Sequence, residues 1–374
     1  MSTTPIVQFG TSRFLQAHAD LFVSEALASG EAVGPITVVQ TSGDPSRAHR
    51  LKALVDPDGY EVRVKGLKDG ERVETSCRVT SIRRALSLPG DLNTVSAIVC
   101  REARILISNT ADAGFKPQVD DQKDTFSPGM SYPAKLTWLL FQRFLAGAVP
   151  IQIMPTELVP KNGDVLRDLV LQLAENYPPN FRPWLESSVI WVNSLVDRIV
   201  SEPLEPAGAV AEPYALWAIE DKPGLLLPCQ HPDVQVVQDL DHVETLKLYV
   251  LNLGHTYLVS RWLAAGSSQA VFVRDLMEDD AFLADLQNLY QSEVVPGFAA
   301  HGRESEARAY VTTTIDRFKN PFLDHRLEDI AQNHDEKLQR RIDSFRSWVR
   351  EAAPELKMPK LDALLKRTQK AGTA

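Results

Sequence analysis

Lys247, Asn252 and His255 place an amine, an amide and an imidazole inside one apolar run, LKLYVLNLGHTYLVSRWLAA (246–265). The apolar spacing predicts a helix over 242–265. At about 100° per residue, Asn252 falls about 140° around the axis from Lys247, with His255 between them at about 80°. On that geometry the three groups can face one cleft. An amine and an imidazole beside an amide donor are groups that can carry acid–base chemistry. A helix that only filled a core would not choose these residues, because burying an unpaired amine or amide is costly. The alternative reading is that Lys247 snorkels to water while Asn252 and His255 are satisfied polar groups in a core.

The elements that must position these residues follow from the punctuation of the chain. At 374 residues the protein exceeds what one core usually supports, so two domains are expected. PIVQFG (5–10), ITVVQT (36–41), ARILISNT (103–110), VPIQIMPT (149–156) and SVIWVNSLV (188–196) read as buried strands. Helical patterns over Arg13–Ala28, Pro45–Val55, YPAKLTWLLFQRFLAG (132–147) and Asp164–Asn176 lie between them. Apolar rather than alternating strands, separated by helices, indicate a parallel doubly wound sheet of Rossmann type. Residues 58–84 are polar and β-prone, and read as an antiparallel excursion on the edge of that sheet. EPLEPAGAVAEPY (202–214) reads as a loop, and LLLPCQHPDVQVVQDL (225–240) has room for one more strand. From Asp241 the pattern is helical, over 242–265, 279–293, 303–316, 324–346 and a charged tail to about 368. The expected organisation is a dinucleotide-binding α/β domain over 1–238 and an all-α substrate or catalytic domain over 239–374.

A parallel sheet binds ligands at the carboxyl ends of its strands, where strand order reverses. The first such turn is Gly10-Thr11-Ser12-Arg13-Phe14, which has one glycine of a GxGxxG fingerprint. A glycine at a strand end followed by helix amides suits a pyrophosphate, with Ser12 and Arg13 adding a hydroxyl and a charge. An ordinary turn with a solvent-exposed arginine is the other reading. The second strand ends in Gln40-Thr41-Ser42-Gly43-Asp44, with Arg47 beyond. Asp44 lies late for binding a ribose diol, so the sequence leans to NAD without excluding NADP. Ser108-Asn109-Thr110 ends another strand and could border the nicotinamide ribose.

Composition sets the outer limits. A hydrophobic content of 44%, a charged content of 24% and a net charge of −9 fit a soluble globular protein. They give no footprint for nucleic acid. Cys77, Cys100 and Cys229 lie far apart without metal-ligand spacing, which fits a reducing cytoplasm and not structural zinc. The N-terminal residues lack a signal pattern, and no apolar run is long enough to span a bilayer. A cytoplasmic protein without a membrane partner is expected, as a monomer or small homo-oligomer.

Several segments together resemble the polyol-specific long-chain dehydrogenases, the mannitol dehydrogenase family. They are IVQFGTSRFLQAHADLF (6–22), LISNTADAGF (106–115), YPAKLTWLL (132–140), PTELVPKNGD (155–164), NSLVDRIV (193–200), KLYVLNLGH (247–255) and DRFKNPFLDH (316–325). Glu157, YPAKLT and LVDRIV resemble the tagaturonate reductase branch most. Ser12 stands where members of the family carry a second glycine, and the chain is shorter than typical members of that branch.

The resemblance implies reversible hydride transfer between a nicotinamide and a secondary alcohol, without metal. It makes Lys247 the general acid/base, Asn193 and Asn252 donors to the reacting oxygen, and His255 a contact to a neighbouring hydroxyl. A lysine near pKa 10.4 would have to fall by about 2–3 units to act near neutrality. Arg317, Asn320 and His325 become candidates to hold substrate, Arg317 as bidentate partner of a sugar-acid carboxylate. An inter-helix salt bridge is the structural alternative for Arg317. Glu157 either orients Lys247 or touches substrate, Asp197 and Arg198 read as a pair between domains, and His18 as packing or support. The expected function is an NAD-dependent oxidoreductase acting on a sugar acid or polyol. A polyol or sugar-phosphate dehydrogenase, or a non-catalytic dinucleotide sensor, are the alternatives.

Overall fold

Strands made almost wholly of aliphatic residues bury both faces, and here they form the parallel sheet that such runs require. The structure, a computed structural model, describes residues 3–42, 44, 48–110, 112–267 and 269–371. The strands are β1 (Ile6–Phe9), β2 (Ile36–Gln40), β3 (Tyr60–Lys68), β4 (Glu71–Val79), β5 (Ile82–Ser87), β6 (Ile105–Ser108), β7 (Ile151–Pro155), β8 (Val189–Trp191), β9 (Ser194–Asp197), β10 (Val200–Pro203), β11 (Gly208–Ala211), β12 (Leu216–Glu220) and β13 (Val234–Val237). A six-stranded parallel sheet has the order β5-β2-β1-β6-β7-β8. Successive residues serve opposite faces. Ile6, Val38, Ile105 and Met154 pack with Leu21, Phe22 and Trp217. Val7, Val39, Leu106 and Ile153 pack with Val95, Leu136 and Leu166 of helices Leu92–Arg101, Tyr132–Leu145 and Asn162–Leu173.

The chain divides into two compact units. One comprises Met1–Val64, Thr75–Ala211 and Ala215–Leu240; the other comprises Lys65–Glu74, Glu212–Tyr214 and Asp241–Ala374. Segments 65–74 and 212–214 thus belong with the helical unit although they precede residue 239.

Local expectations changed where long-range partners intervened. The helix expected over Arg13–Ala28 is two, Arg13–Gln16 and Ala19–Ser29. Between them Arg198 donates to the carbonyl of Ala17 (2.6 Å), and the His18 ring pairs with the carbonyl of Leu216 (3.0 Å). A carbonyl given to a guanidinium is lost to the helix ladder. The single strand expected over 188–196 splits between the main sheet and a three-stranded sheet, β13-β12-β9. The side chain of Asn162 makes a strand-like pair of bonds to Ser194, which turns the chain there. Residues 58–84 are not an edge excursion: β3 and β4 join β10 and β11 in a separate sheet, and β5 takes the edge of the main one. The expected loop 202–214 contains β11, whose small residues pair in parallel with β3. The helix expected over Pro45–Val55 is described from Ala48 to Leu54.

The second unit is helical. Leu240–Leu246, Lys247–Asn252 and Leu253–Ala264 run on as one helix whose middle segment is π-helical. Two further π segments occur, Tyr290–Val294 between Asp280–Leu289 and Val295–Ala300, and Leu338–Asp343 between His334–Lys337 and Ser344–Ala352. Glu304–Phe318 and Pro359–Ala371 complete the longer helices. The helix expected over 324–346 breaks at Asn333, whose φ is 52°. Val250, Leu253, Tyr257, Tyr290, Phe298, Phe318 and Phe345 form this unit's core. Among the described residues no helix is long and apolar enough to cross a membrane.

Asp20 lies in the first unit's core, where Tyr60 donates a hydrogen bond to it (2.9 Å). Burial pushes its carboxyl up to about 7. The native state therefore keeps a proton that the unfolded chain releases near pH 4, and stability falls as pH rises from about 4 through about 7. Replacing Asp20 by Asn removes this slope. Denaturant midpoints at pH 5 and pH 8 are expected to show the variant gaining on wild type at the higher pH; parallel midpoints contradict the assignment.

Candidate active site

The order β5-β2-β1-β6-β7-β8 reverses direction between β1 and β6, which makes their carboxyl ends the switch point of the sheet. Gly10 follows β1 with a φ of 124°, and a Cβ there would lie 2.5 Å from the carbonyl oxygen of Asn109, beyond β6. Only glycine allows the two turns to approach this closely. The Ser12 hydroxyl donates to Asn109 Oδ1 (3.1 Å) and accepts from the amide of Leu15 (3.2 Å). The amide of Asn109 donates to the carbonyl and hydroxyl of Thr156, after β7.

Glu157 fixes this rim. It is buried and accepts from Ser108 Oγ (3.0 Å), the Thr110 amide (2.9 Å) and Thr110 Oγ1 (3.0 Å). Burial raises its carboxyl above the usual carboxylate range while these bonds oppose the shift. Gln40 holds the turn after β2 by donating to the carbonyl of Asp44 (3.0 Å). Gly43 and Arg47 lie outside the described residues. Lys135, which the sequence reading did not single out, reaches the same turn and donates to the carbonyl of Thr41 (3.3 Å). It is buried, and desolvation lowers its pKa. A lysine inside the apolar run YPAKLTWLL was the available signal.

Three expected residues of this unit are committed to the protein itself. The Arg13 guanidinium bonds Glu205 (2.7 Å), the Gly208 carbonyl (3.1 Å) and Gln16 (3.2 Å). Phe14 stacks on His18 with ring centroids 4.7 Å apart. Asn193 was expected to donate to the reacting oxygen. Instead its amide donates to Asp164 and Glu220, both at 2.9 Å, and its Oδ1 accepts from the Asp164 amide. Both amide hydrogens are used, and Asn193 serves the junction of β8 and β9.

In the second unit the π segment Lys247–Asn252 changes the angular relation read from a regular helix. The amide of Leu253 bonds the carbonyl of Leu248, one residue further back than in an α-helix. The wider turn lets other elements reach the backbone. Tyr290, which opens the second π segment, donates its hydroxyl to the carbonyl of Val250 (3.0 Å). Arg341, in the third, donates Nη1 to the carbonyl of Asn252 (3.3 Å) and to Thr256 Oγ1 (3.1 Å).

Lys247 and Asn252 are half-buried and His255 is buried. Neither the Asn252 side-chain amide nor the His255 ring nitrogens form a hydrogen bond within the described protein. His255 packs against Phe318 and His325, with centroids 4.3 and 4.6 Å away. Desolvation, then the charges of His325, Arg317, Arg341 and Lys337, hold it far below the usual imidazole range. His255 is therefore a neutral ring at neutral pH, able to donate from one nitrogen and accept at the other.

Arg317 forms a salt bridge, with Glu212 on the segment after β11 and not with a second helix. Its Nε and Nη2 meet the two oxygens of Glu212 at 3.0 and 2.8 Å, both side chains are buried, and the guanidinium lies 4.4 Å from the Tyr214 ring centre. The fork expected to receive a substrate carboxylate holds one from the chain. Asn320 donates to the carbonyl of Lys65 (3.3 Å) and accepts from the amide of Phe322, which ties it to segment 65–74. His325 is held by burial below the usual imidazole range, and its Nδ1 is buried without a partner. Among the described residues no group of three or more His, Cys, Asp or Glu side chains could hold a metal ion.

Residues 4–226 match the family model of the mannitol dehydrogenase Rossmann domain, and 239–362 that of the mannitol dehydrogenase C-terminal domain. An altronate oxidoreductase of Bacillus subtilis is 32% identical over 359 residues, covering 88% of this chain and 71% of its own. One from Escherichia coli is 31% identical over 367 residues, covering 90% and 73%. Among solved structures, a substrate-free D-sorbitol dehydrogenase matches with a TM-score of 0.78 at 22% identity over 94% of this chain and 76% of its own. Pseudomonas fluorescens mannitol 2-dehydrogenase, solved with NAD and D-mannitol, matches with a TM-score of 0.70 at 20% identity, over 97% and 78%.

Gly254 lets the Tyr290 hydroxyl approach the widened turn, since a Cβ would stand 2.0 Å from it and 3.1 Å from Phe318 Cε2. Gly254→Ala is expected to displace Tyr290 and destabilise the chain by about 1–3 kcal/mol, read as a denaturant midpoint. An unchanged midpoint contradicts the close approach.

Proposed function

The chain belongs to the mannitol dehydrogenase family, and from that premise we propose that it transfers a hydride between NAD and a secondary alcohol of a sugar acid, with Lys247 as general acid/base. The observation that carries this reading is the contrast between two asparagines. The amide of Asn193 is consumed by two carboxylates, whereas that of Asn252, five residues from Lys247, is uncommitted. An uncommitted, half-buried amide on a helix opened beyond α geometry suits a donor to a developing alkoxide. The likeness at about a third of positions to altronate oxidoreductases favours a sugar acid over a neutral polyol.

The dinucleotide fits the first unit: half-buried residues of the turns at Gly10–Ser12 and Asn109–Thr110 meet at the switch point, Asn109 bonding Ser12 and Glu157 holding Ser108 and Thr110. Gly10, Ser12, Gln40, Ser108, Asn109 and Thr110 are the residues proposed to border it. When bound, the nicotinamide supplies a hydride acceptor or donor. Lys247 takes the hydroxyl proton as the carbon gives up hydride, and returns it in the reverse direction. Asn252 holds the oxygen as it gains charge, and neutral His255 binds an adjacent hydroxyl. Asn320 and His325 remain proposed contacts for the sugar chain.

Nicotinamide absorbance during oxidation of D-altronate tests the reading. Lys247→Ala is expected to lose about 10²–10⁴-fold in kcat with NAD affinity unchanged. Asn252→Ala is expected to lose about 10²–10³-fold, whereas Asn193→Ala lowers stability and leaves kcat of the folded enzyme nearly intact. Full turnover in Lys247→Ala, or binding of NAD with no turnover of any sugar acid or polyol, overturns the proposal.

A further inference from the structure

If Arg317 is closed to substrate, a sugar-acid carboxylate needs another cation. Arg341 and Lys337 stand one helical turn apart on the stretch that includes the third π segment. Both are half-buried. Arg341 spends only Nη1 on the protein, on the carbonyl of Asn252 and on Thr256, which places it beside the turn that carries Asn252 and His255. Its Nε and Nη2 make no hydrogen bond within the described protein, and Lys337 donates only to the carbonyl of Ile330 (2.8 Å). Among the described residues neither cation has a carboxylate within ion-pair distance. Glu336 acts on Lys337 and Asp329 on His325, from further away. His325 adds a buried, unpartnered Nδ1 to the same cluster.

Uncompensated cations in partly desolvated surroundings are costly, and a bound anion removes that cost. Desolvation depresses the pKa of both Arg341 and Lys337, in agreement with that want of a counter-charge. A guanidinium with two nitrogens to spare matches the two oxygens of a carboxylate. We propose that Arg341 and Lys337 form the carboxylate subsite of the sugar acid, and that Arg317 with Glu212 serves only as internal support. The assignment rests on the sugar-acid reading above.

The test compares D-altronate with D-altritol, which carries CH2OH in place of the carboxylate. Steady-state constants are measured for wild type, Lys337→Gln, Arg341→Gln and the milder Arg341→Lys. Lys337→Gln and Arg341→Gln are expected to raise KM for altronate about a hundredfold, the scale of a lost charge partner. For Lys337→Gln, KM for altritol and kcat on either substrate are expected to stay within about threefold. Arg341→Gln also removes the bond to the Asn252 carbonyl and lowers kcat on both substrates by one common factor, so its carboxylate role is read from the altronate-to-altritol ratio of KM, with Arg341→Lys intermediate. An unchanged ratio in both variants would show that these residues only support the π segment, and overturn the subsite while leaving the sugar-acid reading intact. A wild-type enzyme that oxidises altritol but not altronate overturns the sugar-acid reading and the subsite with it.

Discussion

The hydroxyl of Tyr290 and the guanidinium of Arg341, donated to the carbonyls of Val250 and Asn252, hold the π-helical segment around which the second unit is built. A helix opened beyond α geometry shifts part of its own ladder, and groups from outside add bonds to its carbonyls. Here those groups come from two other π segments, so that three widened turns support one another. Gly254 supplies the space, because any side chain there would occupy the position of the Tyr290 hydroxyl. Lys247 and Asn252 stand at the two ends of the opened segment, and His255 is fixed a turn beyond it by aromatic packing.

The first unit solves a different problem. Its turns at the carboxyl ends of β1, β6 and β7 would be mobile polar loops if left alone. Glu157 ties Ser108 to Thr110, and Asn109 links Ser12 to Thr156, so that one connected set of hydrogen bonds sets the rim. The cost is a buried carboxylate, offset by the bonds it accepts. Arg13 contributes to rigidity in the same way, through Glu205 and the carbonyl of Gly208.

Much of this was legible in the sequence. Aliphatic runs such as IVQF and ILIS announce buried parallel strands, and the helices of the second unit follow from apolar spacing. What escaped was set by distant partners. The break at Ala17 depends on Arg198, and the strand at GAVA depends on pairing with β3 across the chain. The π segments have no residue signature, so the angles drawn from a regular helix could not place Lys247 against Asn252. The two asparagines, alike in sequence, differ in the structure by their partners: the Asn193 amide bonds two carboxylates, and that of Asn252 bonds no group of the described protein. Arg317 was open to two readings for the same reason: nothing in DRFKNP names Glu212 as its partner.

The central claim is that an amine on the opened turn moves the proton, and chemical rescue tests it most directly. Lys247→Ala would be assayed for altronate oxidation with added primary amines of increasing basicity. A rescued rate that rises with amine basicity, at unchanged NAD affinity, is the predicted result. Wild-type turnover in the variant without any amine, or rescue that ignores basicity, would contradict the account.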